Sequence, residues 1–141
     1  MSECRSTLSD GSVMTVSATR RPRGGRAEVK CAVQGGPALA ERMQLVVRLA
    51  RLTEARQDSR DQVLLTMDRA PSPAERDWEL AVVLADRMAR GVIPDAPLHA
   101  NGWSDQWQLG RVDGHAVKSP GGNPAMLRGG PGHLAFLGAL A

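Results

Sequence analysis

Residues 62–93 read QVLLTMDRAPSPAERDWELAVVLADRMARGVI, and the reading of this stretch decides the fold class. It opens on a short apolar run, Val63, Leu64, Leu65 and Met67, whose length suits a buried strand. A Pro-bearing turn follows. Ser72, Pro73, Ala74 and Glu75 then spell a helix start: an N-cap Ser, Pro at the first helical position and Glu at the third. In that arrangement the hydroxyl and the carboxylate each satisfy a backbone N–H of the other residue. Apolar side chains recur at Trp78, Ala81, Leu84, Ala85 and Met88, with Leu80, Val82 and Val83 widening the stripe, which predicts an amphipathic helix. Gly91 suits the left-handed position after the helix, and Pro94 blocks its resumption.

Upstream, Gly35-Gly36-Pro37 opens a second helix with Pro at its first position, predicted to run to about Ala55. Leu39, Met43, Val46, Val47 and Ala50 keep helical spacing, with Leu49 and Leu52 flanking, while Arg42, Arg48 and Arg51 fall toward the polar side. Residues 27–34 alternate Ala27, Val29, Cys31 and Val33 against Glu28, Lys30 and Gln34, a strand pattern. Residues 12–19 (SVMTVSAT) read as another strand, with Met14, Val16 and Ala18 on one face. Between the two lie Arg20, Arg21, Pro22, Arg23, Gly24, Gly25 and Arg26, so the segment predicts a β-hairpin with a basic tip. Residues 1–11 read as a disordered leader before a single domain over residues 12–141.

Downstream of Pro94 the punctuation is dense. Residues 98–103 and 107–112 predict a hairpin around Ser104-Asp105-Gln106, with Trp103 and Trp107 packing across it or, as the alternative, forming a binding patch. Residues 116–132 read as a loop within a loop-rich part from about 94 to 132. Residues 133–140 (HLAFLGAL) fit either a last strand or a terminal helix.

The 141 residues suffice for one domain with its own core. No apolar run approaches the roughly 18 residues of a membrane span, and the first residues lack the apolar segment of a secretory signal. Two cysteines make no disulfide framework and read as reduced thiols in a cytoplasmic protein. The net charge of +3 is unevenly spread: residues 1–60 carry 11 Lys and Arg against 6 Asp and Glu, residues 61–141 carry 7 against 9. Aromatic residues are few, which disfavours base stacking as a binding mode.

Chemical motifs are sparse. His99, His115 and His133 stand far apart and no Cys pair has ligand spacing, so no metal site is predicted. The Gly-rich segments near 121 and 129 lack the GK[ST] ending of a phosphate loop, and no nucleotide or other cofactor is expected. No GxSxG occurs, and Lys30 and Lys118 are the only lysines for a Ser–Lys pair. Asp77 and Glu79 are two apart on the expected helix and would not face each other. The four arginines at 20, 21, 23 and 26 offer contacts to a phosphate backbone or an acidic partner; the same composition also suits a solvated turn.

The succession of strand, basic loop, strand, GGP, Arg-bearing helix, apolar strand, Pro-rich turn and the helix ending ELAVVLADRMARGVI resembles the N-terminal domain of ComM-like proteins. These are AAA+ proteins related to the ChlI-type magnesium-chelatase subunit, and the domain is similar to the C-terminal domain of Lon protease and the Lon-like end of RadA recombination proteins. The corresponding segments here are residues 27–33, 35–37, 54–61 (EARQDSRD), 63–71 (VLLTMDRAP) and 78–93. The strand that closely follows the helix in that family has no clear copy; residues 107–112 or 136–141 are the candidates, and the second would make 98–132 an insertion. Asp77 stands where the Lon pattern has its nucleophilic Ser, and no AAA+ module is present.

The resemblance implies an α+β, two-layer mixed β-sheet with two main helices packed on one face. It further implies a stand-alone, non-catalytic accessory domain that binds a protein, such as an AAA+ ATPase, or DNA. Arg20, Arg21, Arg23 and Arg26 would supply contacts, with Arg42, Arg48 and Arg51 as a second patch. A degenerate hydrolase using Asp77, and a remnant of a longer magnesium-chelatase-related ATPase, are the alternatives.

Overall fold

The computed structural model describes residues 1–22, 29–33, 36–54, 61–105, 107–118 and 124–125. In chain order the elements are β1 (Ser2–Thr7), β2 (Val13–Pro22), β3 (Val29–Ala32), α1 (Pro37–Arg51), β4 (Asp61–Met67), α2 (Glu79–Ala89), β5 (Leu98–Ser104), β6 (Val112–Lys118) and the two-residue β7 (Pro124–Ala125). The strands form one mixed sheet in the order β3-β4-β2-β1-β5-β6-β7. Alternation drives the layering. Cys4, Met14, Val16, Ala18, Val29, Cys31, Val63 and Leu65 turn to one side and are buried there under both helices. The architecture is therefore α+β, with the two helices on one face of a mixed sheet.

Residues 2–7 are no leader. They form β1, a central strand antiparallel to β2 and parallel to β5. Its inward residues, Ser2, Cys4 and Ser6, are small, so α2 can pack close above them without an apolar stripe appearing in the sequence. The β1–β2 turn is closed by Leu8 N–H to Ser12 O (2.8 Å) and by Asp10, whose carboxylate accepts from the Ser12 amide (2.9 Å) and hydroxyl (2.6 Å). Those bonds hold the Asp10 carboxyl below its ordinary value.

The expected hairpin of the second and third strands does not form, because β4 lies between them. β2 pairs antiparallel with β4 (Ala18 opposite Leu65), and β3 pairs parallel with the other edge of β4 (Cys31 opposite Leu65). A parallel pair needs a long crossover, which α1 supplies. Arg20 and Arg21 consequently lie within β2 instead of at a hairpin tip. Arg23 and Arg26 lie outside the described residues.

α1 begins as expected, with Gly36 at φ 86° ahead of Pro37, and it ends at Arg51, short of Ala55. Met43, Val46, Val47 and Ala50 face the core. The Ser72 capping box does not form. Glu75 N–H bonds the Ser72 carbonyl (3.0 Å) in a turn, the Glu75 carboxylate accepts from the amide (3.1 Å) and hydroxyl of Ser9, and α2 starts only at Glu79. The helix then closes as read. Gly91 at φ 76° bonds Met88 O (3.1 Å) and Val92 bonds Arg87 O (2.9 Å), a Schellman motif. Every residue from Glu79 to Met88 is buried, so α2 is a central helix rather than an amphipathic one.

Burial extends to charge. Asp86 accepts from Arg51 (2.6 and 3.2 Å) and Arg90 (2.7 Å), while Glu54 accepts from Arg90 (2.7 and 2.6 Å) and Arg87 (3.1 Å). Arg87 also donates to Thr53 Oγ1 (3.1 Å) and Ala50 O (3.3 Å). Three guanidiniums thus meet two carboxylates, and the surplus cation is placed against the C-terminal carbonyls of α1, the negative end of its dipole. Burial lowers the Arg87 guanidinium from its ordinary value, against the pull of Glu54. For Arg90, Glu54 and Asp86 outweigh burial and raise it.

The C-terminal hairpin exists but is shifted. β5 follows residues 94–97 closely, and its partner is residues 112–118. Residues 98–104 and 112–118 are thus strands of the sheet. Residues 105–111 form the connection, held by Asp105, whose carboxylate accepts from Trp107 N–H (2.7 Å). Residues 133–140 lie outside the described residues.

Two outcomes follow from this packing. Asp86→Ala leaves the buried Arg51 and the half-buried Arg90 without their shared carboxylate, and urea unfolding should show a loss of about 3–5 kcal/mol. Burial pushes the Cys4 and Cys31 thiols up to about 12 from 9.0, with Asp86 adding to the rise at Cys31. The native state therefore holds both protons above the pH at which the unfolded chain releases them. Stability should fall as pH rises from 9.0 to about 12, and substituting both cysteines by Ala should flatten that slope.

Candidate functional site

The helices cover one face of the sheet; the residues of opposite parity make up the other. On β1 these are Glu3, Arg5 and Thr7, and on β5 they are His99, Asn101 and Trp103. Register brings three basic groups into one row: Arg5 stands opposite His99, and His99 opposite Lys118. Facing Cα atoms across a sheet lie about 5 Å apart. Among the described residues no carboxylate forms a salt bridge with Arg5 or Lys118. Thr15 and Ser17 of β2, opposite Arg5 and Glu3, add hydroxyls beside the row.

The row is held from β5. The Asn101 side chain accepts from Thr7 N–H (3.0 Å) and donates to Thr7 O (2.7 Å), replacing a peptide where strand pairing stops. Thr7 Oγ1 lies 2.8 Å from His99 Nε2. Beyond a bulge between Asn101 and Trp103, the Trp103 ring lies over Gly114. A Cβ there would sit 2.2 Å from the ring, and φ is +62°, so glycine is required. Burial, then the charges of Lys118 and Arg5, lower the His99 pKa from 6.5. At neutral pH the imidazole is uncharged between two cations.

A second feature is a cleft of about 230 Å³ between the start of α1 and residues 71–79, lined by Leu39, Arg42, Ser72, Glu75, Arg76 and Trp78 among others. Glu79, fully buried at its edge, accepts from Arg42 (3.0 Å), Arg76 (3.0 and 3.1 Å) and the amide and hydroxyl of Ser104 (2.9 Å each). Glu75 is held by Ser9. Despite burial, the Ser9 bonds and that from Asp77 keep the Glu75 carboxyl low, while burial and Glu75 together raise Asp77. Asp77 and Glu79 thus belong to different networks, and among the described residues neither Asp77 nor a histidine lines the cleft. Among the described residues no three His, Cys, Asp or Glu converge as a metal site, and no helix is long and apolar enough to cross a membrane.

Of the arginines singled out in the sequence, Arg20, Arg21, Arg42, Arg48 and Arg51 lie among the described residues. Arg20 pairs with Asp61, and Arg21 donates to Gln62 Oε1 (2.7 Å). Arg42 and Arg51 are counter-ions of Glu79 and Asp86, and Arg51 is buried; of the three on α1 only Arg48 is exposed. Arg5 was passed over because residues 1–11 read as a leader, while His99 and Lys118 were weighed only for a metal site and a Ser–Lys pair, not as partners of Arg5. The usable signal was the alternation of Glu3, Arg5 and Thr7 with small residues.

No family model matches the chain, and no curated protein or solved structure matches it either.

In an NMR titration, His99 should protonate below 6.5, and Lys118→Met or Arg5→Met should each move that midpoint upward. A midpoint indifferent to both substitutions would mean that the three groups do not share one field.

Proposed function

We propose that this chain is a Lon/ChlI-like accessory domain that binds single-stranded nucleic acid along the uncovered face of its sheet. The observation that carries this reading is the row Arg5, His99 and Lys118, on three adjacent strands with no carboxylate paired to it among the described residues. Guanidinium, ammonium and hydroxyl groups are the donors that position a phosphate backbone without reading sequence. Trp103, against Gly114 and four residues along β5 from His99, offers one ring on which a base can stack. An arriving phosphate would favour the protonated imidazole, so His99 adds a third charge only when ligand is present.

The order of elements supports the family reading. β2, β3, the Gly36-Pro37 start of α1, the apolar β4, the Pro-rich turn and α2 follow in the order the resemblance implies, although β1 precedes them and β2 and β3 do not pair as a hairpin. In that setting the domain is non-catalytic and presents nucleic acid to a partner such as an AAA+ ATPase. The cleft beside Glu79 would be the place for a hydrolase, yet Glu75 and Glu79, the carboxylates that line it, are engaged by Ser9, Arg42, Arg76 and Ser104.

Fluorescence anisotropy with labelled single-stranded DNA, at low and physiological salt, tests the proposal. Arg5→Ser with Lys118→Ser should weaken binding and reduce the log–log salt slope by about 1.4, roughly 0.7 for each lost contact. Arg48→Ser, on the helical layer, should change neither. Equal affinity of the double variant and the wild type would sink the sheet-face reading.

A further inference from the structure

Among the described residues no element packs on the outer face of α1. Ala38, Glu41, Leu45, Arg48, Leu49 and Leu52 are all exposed, and their spacing puts them on one stripe of the helix. Leu45 is 46% and Leu52 60% exposed. The apolar surface continues past the helix: Leu109 lines a groove together with Leu49, and Trp107, two residues earlier, is 92% exposed. A leucine stripe that meets Leu109 in one groove is more contiguous apolar surface than scattered exposed residues make.

We propose that this stripe binds the same stripe of a second copy of the chain, with the two α1 helices antiparallel about a twofold axis at Leu45. The charges on the stripe select this occupant. Glu41 and Arg48 flank Leu45 on either side, one acid and one base, and no salt bridge occupies either of them among the described residues. Turning the helix about an axis near Leu45 brings Glu41 of each copy opposite Arg48 of the other, and Leu45 opposite Leu45. The same rotation sets Leu52 over the small Ala38 at the start of the other helix. A twofold interface requires such self-complementarity, since each patch meets its own copy. The face used is remote from the row on the sheet, so this inference stands apart from the nucleic-acid reading.

Sedimentation equilibrium of the whole chain over a wide concentration range tests it. The wild type should approach twice 15.1 kDa. Leu45→Glu should remain at the monomer mass with an unchanged far-UV spectrum, because the side chain is half outside the fold. Glu41→Arg and Arg48→Glu should each weaken self-association by about tenfold through like-charge contacts, and the double exchange should restore it. Three results would overturn the proposal: a wild type that is monomeric at every concentration, a dimer untouched by Leu45→Glu, or a double exchange as weak as the singles.

Discussion

Four buried charges, Arg51, Glu54, Asp86 and Arg87, joined by the half-buried Arg90, constrain the whole arrangement. Each pair alone would gain little over an apolar contact of the same volume, because desolvating both ions offsets most of their attraction. Their directionality is what matters. A methyl group would tolerate α1 sliding along α2; a two-pronged bond from Arg51 to Asp86 does not. The end of α1 is thereby registered on the end of α2, and α2 in turn sits over β1, β2 and β5. Glu79 repeats the device at the other end of α2 with Arg42 and Arg76. Two ionic clamps at the two ends of one buried helix locate both helices on the sheet.

How much of this could be read in advance depended on whether a local rule had a competitor. The start of α1 at Gly36-Pro37 and the Schellman end of α2 at Gly91 were legible, because backbone conformation there is decided by the residues themselves. β4 was legible from its apolar run. Ser72 was misleading: its capping partner Glu75 found the Ser9 amide and hydroxyl, which are distant in sequence. β1 was invisible to a hydrophobic scan because Ser2, Cys4 and Ser6 face a closely approaching helix and must be small. The arginines misled most. Polar side chains on a helix suggest solvent, but Arg51 and Arg87 sit opposite acids that only tertiary structure brings to them.

The same distinction explains the candidate site. Arg5, His99 and Lys118 are separated by nearly the whole chain, and the parallel pairing of β1 with β5 is what makes them neighbours. Asn101 supports that pairing where the backbone ladder runs out, and Gly102 N–H bonds Asp77 O (3.0 Å), tying β5 to the turn that precedes α2. The polar face of the sheet and the clamps beneath it are therefore mechanically one unit. Shifting β5 by one residue would exchange His99 for Leu98 on the open face and lose the row altogether.

The position of β4 between β2 and β3 bears on how the chain is made. Both neighbours are synthesised well before β4, and neither can pair with the other in the final sheet. During synthesis the β1–β2 hairpin can close at once, but the far edge of β2 stays open until residues 61–67 have left the ribosome. An open edge recruits other strands unless it is blunted. Thr19, Arg20, Arg21 and Pro22, at the end of β2 where β4 will later begin to pair, are the residues that blunt it: charge repels a like edge, and proline withholds a donor. Two arginines and a proline thus make that waiting edge of β2 a poor template for another strand.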